Sequence, residues 1–307
     1  MDYLPSYRLL YEEGRLEKLV ETLREALRSC RLCPRDCGVN RLQRETGFCR
    51  TGRLARVSSF NPHFGEEPPL VGIHGSGTIF FTYCNLGCLY CQNYEISHLG
   101  KGEEITAKEL ARLMLGLQQI GCHNINFVTS THVIPRILEA LLIAIEKGLS
   151  VPLVYNTGGY DSVETLKLIQ GVFDIYLPDA KYSAKEAAAK YSQAPDYWEV
   201  NRACLMVMQQ QVGDLLVDEQ GIARKGLLIR HLVLPNNLSG SFEVLTFVRN
   251  KLSKNAYVNI MDQYRPCFKA YKYPELSRDI TEQEYRTVID FAKQIGLSRG
   301  FVDRSRQ

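Results

Sequence analysis

The sequence predicts an α/β chain, a partial, open (βα)6 barrel with an amino-terminal, helical and cysteine-rich appendage. Three observations predict it. From Thr78 onward, strand signals and helix signals alternate, a pattern that calls for a parallel sheet with right-handed crossovers. The strand segments are near-continuously apolar, as parallel strands buried on both faces are. About six βα units can be counted, too few for a closed eight-stranded barrel.

In chain order, Leu9, Leu10, Leu16, Leu19, Val20, Leu23, Ala26 and Leu27 recur at helical spacing between charged residues, predicting one amphipathic helix that leads to Cys30. Between Cys30 and about Leu70 the chain is rich in Arg, Gly and Pro with little periodicity, and reads as a metal-stapled or loop-rich appendage over 1–70, preceding a barrel over 71–307. The barrel opens with strand Thr78–Tyr83 and a helix over Thr106–Ile120, started by the capping box Thr106-x-x-Glu109. Strands Asn124–Thr129, Pro152–Tyr155 and Phe173–Leu177 follow, interleaved with helices Ile134–Lys147, Ser162–Ile169, Ala184–Ser192 and Tyr197–Gln211. A polar excursion over Val217–Gly226 precedes strand Leu227–Leu234, helix Phe242–Leu252, strand Ala256–Met261 and a last helix opened by Thr281-x-x-Glu284.

Lys plus Arg number 37 against 34 Asp plus Glu, a net charge of +3 that is too balanced for a nucleic-acid-binding stripe. At 45% hydrophobic and 23% charged, the chain has globular composition. Met1–Gly14 carries Asp2, Glu12 and Glu13 with no basic, then apolar, leader pattern, and the longest apolar stretch, Ile137–Ile145, is interrupted by Glu139. These features predict a cytoplasmic protein with no membrane partner. In that reducing setting, clustering among the 10 cysteines points to metal rather than to a disulfide framework.

Seven of those 10 fall into two groups. Cys84, Cys88 and Cys91 follow directly on the first barrel strand, where the chemistry of α/β folds gathers. In a glycine-containing loop, three such cysteines suit three corners of a [4Fe-4S] cluster and leave the fourth iron open to a chelating substrate. A three-thiolate zinc site or an incidental thiol cluster is the plainer reading. CNLGCLYC, with an aromatic residue before its last cysteine, resembles the signature of the radical S-adenosylmethionine (SAM) superfamily. GEEPPL at 65–70, GSGTIFFTYCNLGCLYCQNYEIS at 75–97, LPDAKY at 177–182, GLLIRHLVLP at 226–235 and MDQYRP at 261–266 resemble the branch related to pyruvate formate-lyase activating enzyme.

The resemblance implies a [4Fe-4S] cluster on Cys84, Cys88 and Cys91, with SAM chelating the fourth iron. One-electron cleavage of SAM would give methionine and a 5'-deoxyadenosyl radical that takes hydrogen from a protein or peptide. A small metabolite as substrate, or a non-catalytic electron-transfer role, are the rivals. The resemblance also implies a low-potential donor of flavodoxin or ferredoxin type. It places Asp179 and Lys181 beside the methionine half of SAM, with Asn156 and Thr157 as neighbours around a monovalent cation. Lys181 and Arg230 are in any case suited to charge-assisted bonds with a carboxylate, and Tyr90 is a candidate neighbour of the adenine. One departure stands out: strand two ends in Thr129-Ser130-Thr131-His132 where the superfamily often has Gly-Gly-Glu, and Gly158-Gly159 follows strand three instead.

Cys30-x2-Cys33-x3-Cys37-x11-Cys49 supplies four thiolates, enough to close a second metal site, zinc or iron–sulfur. Cys267, after the last strand, is a candidate hydrogen donor or substrate tether against the plainer role of a small buried hydrophobe.

Overall fold

The computed structural model describes residues 3–301. Six parallel strands form its centre: β2 (Ser76–Phe81), β4 (Ile125–Val128), β5 (Leu153–Thr157), β6 (Ile175–Pro178), β8 (Ala223–Leu232) and β9 (Tyr257–Met261), paired in that order. The barrel is partial, because the sheet order does not return from β9 to β2 among the described residues. Helices α5 (Ala107–Ile120), α6 (Ile134–Glu146), α7 (Val163–Leu168), α8 (Lys185–Ser192), α9 (Tyr197–Val212), α10 (Ser241–Phe247, continued by a π turn over Val248–Leu252) and α11 (Glu282–Gln294) form the connections and the final segment. Both expected capping boxes are present, Thr106 with Glu109 and Thr281 with Glu284.

The strands alternate between two apolar environments. Ile79, Phe127, Tyr155, Tyr176, Ile229 and Val258 join the main core with the helices. On the opposite face, Val154, Ile175, Leu177 and Leu228 pack with Leu70 in a separate cluster. Leu70 arrives on the short helix α3 (Pro68–Val71), so the segment between β1 (Ala55–His63) and β2 fills the interior of the barrel. Asn124 fastens it by donating to the Leu70 carbonyl at 2.8 Å while its own side-chain oxygen accepts from Ser76 at 2.7 Å.

Two features differ from the sequence reading. The stretch read as loop-rich between Cys30 and Leu70 contains β1, which pairs antiparallel with β2 and, on its other side, with β3 (Glu103–Ile105). Only Ala55 and Val57 of β1 are buried, so the alternation that announces a half-buried strand is missing and neighbouring strands supply its stability. The single amino-terminal helix is two, α1 (Ser6–Glu12) and α2 (Arg15–Ala26), broken where Gly14 takes a φ of 64°. They are anchored to the barrel by Asp174, which accepts from the Ser6 amide at 2.8 Å and the Tyr3 hydroxyl at 2.7 Å. The remaining α-helix and strand are α4 (Tyr94–Ser97) and β7 (Leu216–Val217), the latter making a hairpin with β8 in the polar excursion. No helix among the described residues is long and apolar enough to cross a membrane.

Candidate active site

The chain leaves β2 through Thr82 and Tyr83, the latter at a φ of 71°, and turns into the cysteine loop at the carboxyl end of the sheet. The loop is tied down on two sides. Gly87 and Leu89 donate backbone N–H groups to the Ser192 and Tyr191 carbonyls at the end of α8, and Lys269 donates to the Leu89 carbonyl from the loop after β9. Cys88 and Cys91 each have a hydroxyl neighbour, with Cys88 Sγ 2.9 Å from Ser192 Oγ and Cys91 Sγ 3.1 Å from Ser97 Oγ. Cys84 Sγ accepts from the Leu86 amide at 3.4 Å. Burial and the neighbouring Cys88 push the Cys84 and Cys91 thiols above the ordinary thiol range. The three side chains are therefore close enough to influence one another, and become thiolates when a metal displaces their protons.

A charged network faces this loop from the next strands. The Asp179 carboxylate, just beyond β6, accepts from Arg230 Nε at 2.9 Å and Lys181 Nζ at 2.6 Å. Burial opposes its charge, yet the guanidinium and the ammonium outweigh burial and hold it below the usual carboxylate range. Lys181 is kept protonated against its own burial by Asp179 and, next, by the Cys88 side chain, which ties the network to the cysteine loop. Arg230 also donates to Asn156 Oδ1 at 2.7 Å and lies 3.6 Å from Glu66. Asn156 Nδ2 and Glu67 Oε2 are buried without a partner. Unsatisfied buried polar atoms are costly, so they mark a face that a polar ligand would complete.

The structure thus brings Asn156, Asp179, Lys181 and Arg230 together beside Cys84, Cys88 and Cys91. Thr157 lies one residue from Asn156 but turns into a different network. Its hydroxyl donates to Asp161 at 2.7 Å, and Asp161 also accepts from Thr131 at 2.7 Å and Tyr155 at 2.8 Å. Tyr90 is buried, its ring edge-on to Tyr182 and Tyr264 and its hydroxyl 2.6 Å from that of Tyr182. Tyr182 reaches Ser192, and so the Tyr90–Tyr182–Ser192 chain ends on Cys88. Cys267 is half-buried in the loop held against Leu89. His132 is fully enclosed, its Nε2–H donating to the Thr82 carbonyl at 3.0 Å, and burial lowers its pKa to about 4, so it stays neutral. Cys30, Cys33, Cys37 and Cys49 line one common small cavity with Arg41 and His132.

Several residues of the site had no signal of their own in the sequence. Tyr197 and Asn201 on α9 hold the Gly158–Gly159 turn and the Asp179 carbonyl from behind. Glu66 and Glu67 enter the barrel from the segment before α3, where Glu67 accepts from Asn259 of β9 at 2.9 Å. Burial raises the Glu66 pKa to about 7 despite Arg230 beside it. The sequence showed the pair within GEEPPL at 65–70, a segment that carried the resemblance but gave neither acid a role.

Among the described residues, no three His, Cys, Asp or Glu side chains converge as the donor set of one metal ion. The cysteine loop offers three thiols, the number that three corners of a [4Fe-4S] cluster take.

The radical SAM superfamily model matches residues 78–206. The uncharacterized protein MJ0674 of Methanocaldococcus jannaschii is 32% identical over 290 residues, covering 92% of this chain and 79% of its own length. A radical SAM methyltransferase from Sphaerobacter thermophilus has the same fold, with a TM-score of 0.51 at 12% identity over 73% of this chain. This chain covers 66% of that structure, just under two thirds of its length. Native anSMEcpe with bound AdoMet matches at a TM-score of 0.47 and 14% identity, over 72% of this chain and 61% of that one.

Proposed function

This chain belongs to the radical SAM superfamily, and from that premise we propose that it is an activating-enzyme-like member whose substrate is a protein or peptide. Membership implies a [4Fe-4S] cluster, SAM, a reductant and a substrate. In our reading Cys84, Cys88 and Cys91 hold the cluster. When bound, cluster and SAM together supply one-electron cleavage of the sulfonium, giving methionine and a 5'-deoxyadenosyl radical that takes hydrogen from the substrate.

The observation that carries the assignment of residues is the Asp179–Lys181–Arg230 network, which faces the cysteine loop, with Lys181 near enough for Cys88 to favour its charge. In this reading Lys181 and Arg230 orient the SAM carboxylate, and Asp179 keeps both cations fixed when SAM is absent. Asn156 offers its unpartnered amide to the same ligand. Thr157 acts through its backbone, whose carbonyl accepts from the Asp179 amide at 2.9 Å; a monovalent cation at this turn belongs to the same proposal. Tyr90 and Tyr182 exclude water beneath the loop, and Ser192 and Ser97 donate to the sulfurs once these are thiolates. Cys267, on the loop that closes over Leu89, is the candidate group for a substrate-side hydrogen transfer. The four amino-terminal cysteines hold a second metal centre, and a flavodoxin- or ferredoxin-type protein supplies the electrons.

The test is 5'-deoxyadenosine formation from SAM and a strong reductant after anaerobic reconstitution, comparing wild type with Cys88→Ala. Product from wild type alone is expected. No product from a loaded protein that also fails to bind SAM would move the chain to the electron-transfer reading.

A further inference from the structure

We propose that Arg41 and His132 are positioning residues for SAM. His132 fastens the turn at 129–131, just after β4, to the root of the cysteine loop, and Arg41 of the amino-terminal appendage holds His132 in place. The appendage thereby sets how SAM is seated. The inference rests on the reading that Cys84, Cys88 and Cys91 hold the SAM-binding cluster, and it is independent of the metal at the amino-terminal cysteines.

The first observation is where the turn lies. β4 stands between β2 and β5 in the sheet, and parallel strands deliver their carboxyl ends to one mouth. A ligand that spans from the cysteine loop after β2 to Asn156 at the end of β5 therefore passes over the turn. The turn is fixed to β5 and the residues beyond it. The amides of Thr129 and Ser130 both donate to the Asn156 carbonyl, at 3.0 and 3.2 Å, and the Thr131 hydroxyl donates to Asp161 at 2.7 Å. Thr129 takes a φ of 63°, in the left-handed region that a β-branched residue rarely enters. Such strain persists only where the surroundings impose it, and it gathers at ligand-binding sites.

The second is the tie across to β2. His132 is buried, and its Nε2–H donates to the Thr82 carbonyl at 3.0 Å. Thr82 is itself fixed, its amide donating to the Arg56 carbonyl at 2.8 Å and its hydroxyl to the Lys101 carbonyl at 2.9 Å. Cys84 lies two residues further on. One imidazole thus joins the residue after the turn to the residue from which the cysteine loop departs.

The third is Arg41, which is 1% exposed. Its Nε donates to the Gly52 carbonyl at 3.1 Å and one terminal nitrogen donates to the His132 carbonyl at 2.9 Å, so a single guanidinium links the appendage backbone to the residue after the turn. No carboxylate lies among its contacts, and its other terminal nitrogen and His132 Nδ1 are both buried without a partner. A buried guanidinium without a counter-charge is disfavoured, and so is each unpaired buried polar atom. Apolar side chains of similar size would fill the same space at less cost. The polar pair is accounted for by what it holds: the appendage on one side, the turn and the cysteine loop on the other.

The test compares wild type, His132→Leu, His132→Gln and Arg41→Met, each reconstituted anaerobically with iron and sulfide. Iron content should match wild type, because no cysteine is touched. In equilibrium dialysis SAM should bind about tenfold more weakly to His132→Leu and to Arg41→Met, the effect of one lost hydrogen bond. In both, SAM should also perturb the EPR signal of the reduced cluster less than in wild type. His132→Gln, whose amide N–H can replace the Nε2–H donor, should regain most of the affinity and of the EPR response. Should the leucine and methionine variants fail to fold, Thr129→Gly takes their place, since glycine adopts the left-handed conformation without strain. Its thermal midpoint should rise while SAM binding weakens about tenfold. Lowered thermal midpoints with SAM affinity and EPR response unchanged would overturn the positioning role and leave the pair a structural one; so would a glutamine variant no better than leucine. A wild-type cluster whose EPR signal does not respond to SAM would overturn the reading of the cysteine loop, and the positioning role with it.

Discussion

Glu66→Gln should make the protein more stable than wild type, and increasingly so as pH rises. The Glu66 side chain is 8% exposed and its pKa lies near 7 against an ordinary value of 4.5, because loss of hydration outweighs the attraction of Arg230. A carboxyl whose folded pKa is raised contributes stability that is intact below the unfolded value and is lost as pH climbs through the folded one. Ionisation of the unfolded chain starts near 4.5 and that of the folded chain near 7, so the full loss is about 3 kcal/mol. Between about pH 5.5 and pH 8 the advantage of the glutamine, which mimics the protonated acid at every pH, should grow by about 2 kcal/mol. Urea unfolding of both proteins, prepared identically under anaerobic reducing conditions at those two pH values, reads this difference and cancels the groups they share. A pH-independent difference would refute the reasoning. So would a variant less stable than wild type at pH 8, because Glu66 would then be ionised and favourably paired with Arg230.

Gly159→Ala should cost about 3 kcal/mol, measured as a shift in unfolding midpoint, because the residue has a φ of 73° and a Cβ there would lie 2.0 Å from the Asp179 carbonyl oxygen. Lys181→Met should weaken SAM binding by roughly 10- to 100-fold in equilibrium dialysis of the reconstituted protein, the worth of one charge-assisted hydrogen bond. Lys181→Arg should recover little of it, since a planar fork replaces a compact ammonium. Asp161→Asn should cost about 1–3 kcal/mol in thermal unfolding, since the amide nitrogen would face a hydroxyl that now donates to the carboxylate from Thr131, Tyr155 or Thr157.

The barrel was legible because each of its six strands carries its own signal. Parallel strands covered on both faces need apolar residues at nearly every position, and β4, β5 and β6 have them in runs bounded by turns and helix caps. What was not legible was stability supplied by neighbours. β1 holds Arg56, Ser58, Ser59, Asn61 and Pro62 between its few apolar positions, and it exists because Val57 to His63 pair along Phe81 to Ser76. The break at Gly14 was missed for a related reason. Apolar periodicity runs through it, and a single left-handed residue changes the direction of the chain without disturbing that pattern.

The same distinction divides the site. The cysteine loop is contiguous, so spacing alone could identify it. Asn156, Asp179, Lys181 and Arg230 could be grouped because parallel strands deliver their carboxyl ends to one mouth, and Asp179 and Arg230 are indeed bridge partners across β6 and β8. Glu66 and Glu67 obey neither rule. The two glutamates belong to a segment that leaves β1, enters the barrel with Leu70, and touches Arg230 of β8 and Asn259 of β9. It thereby spans from the first barrel strand to the last two, the side on which β2, whose outer edge is taken by β1, does not pair with β9. A six-stranded barrel leaves that side exposed, and here the chain covers it with its own amino-terminal segment, whose acids then face the cations of the mouth. Burial is what converts those ordinary glutamates into a group that titrates near neutrality and a carboxylate oxygen left without a partner, and burial is a property of the closure, which no local pattern in GEEPPL encodes.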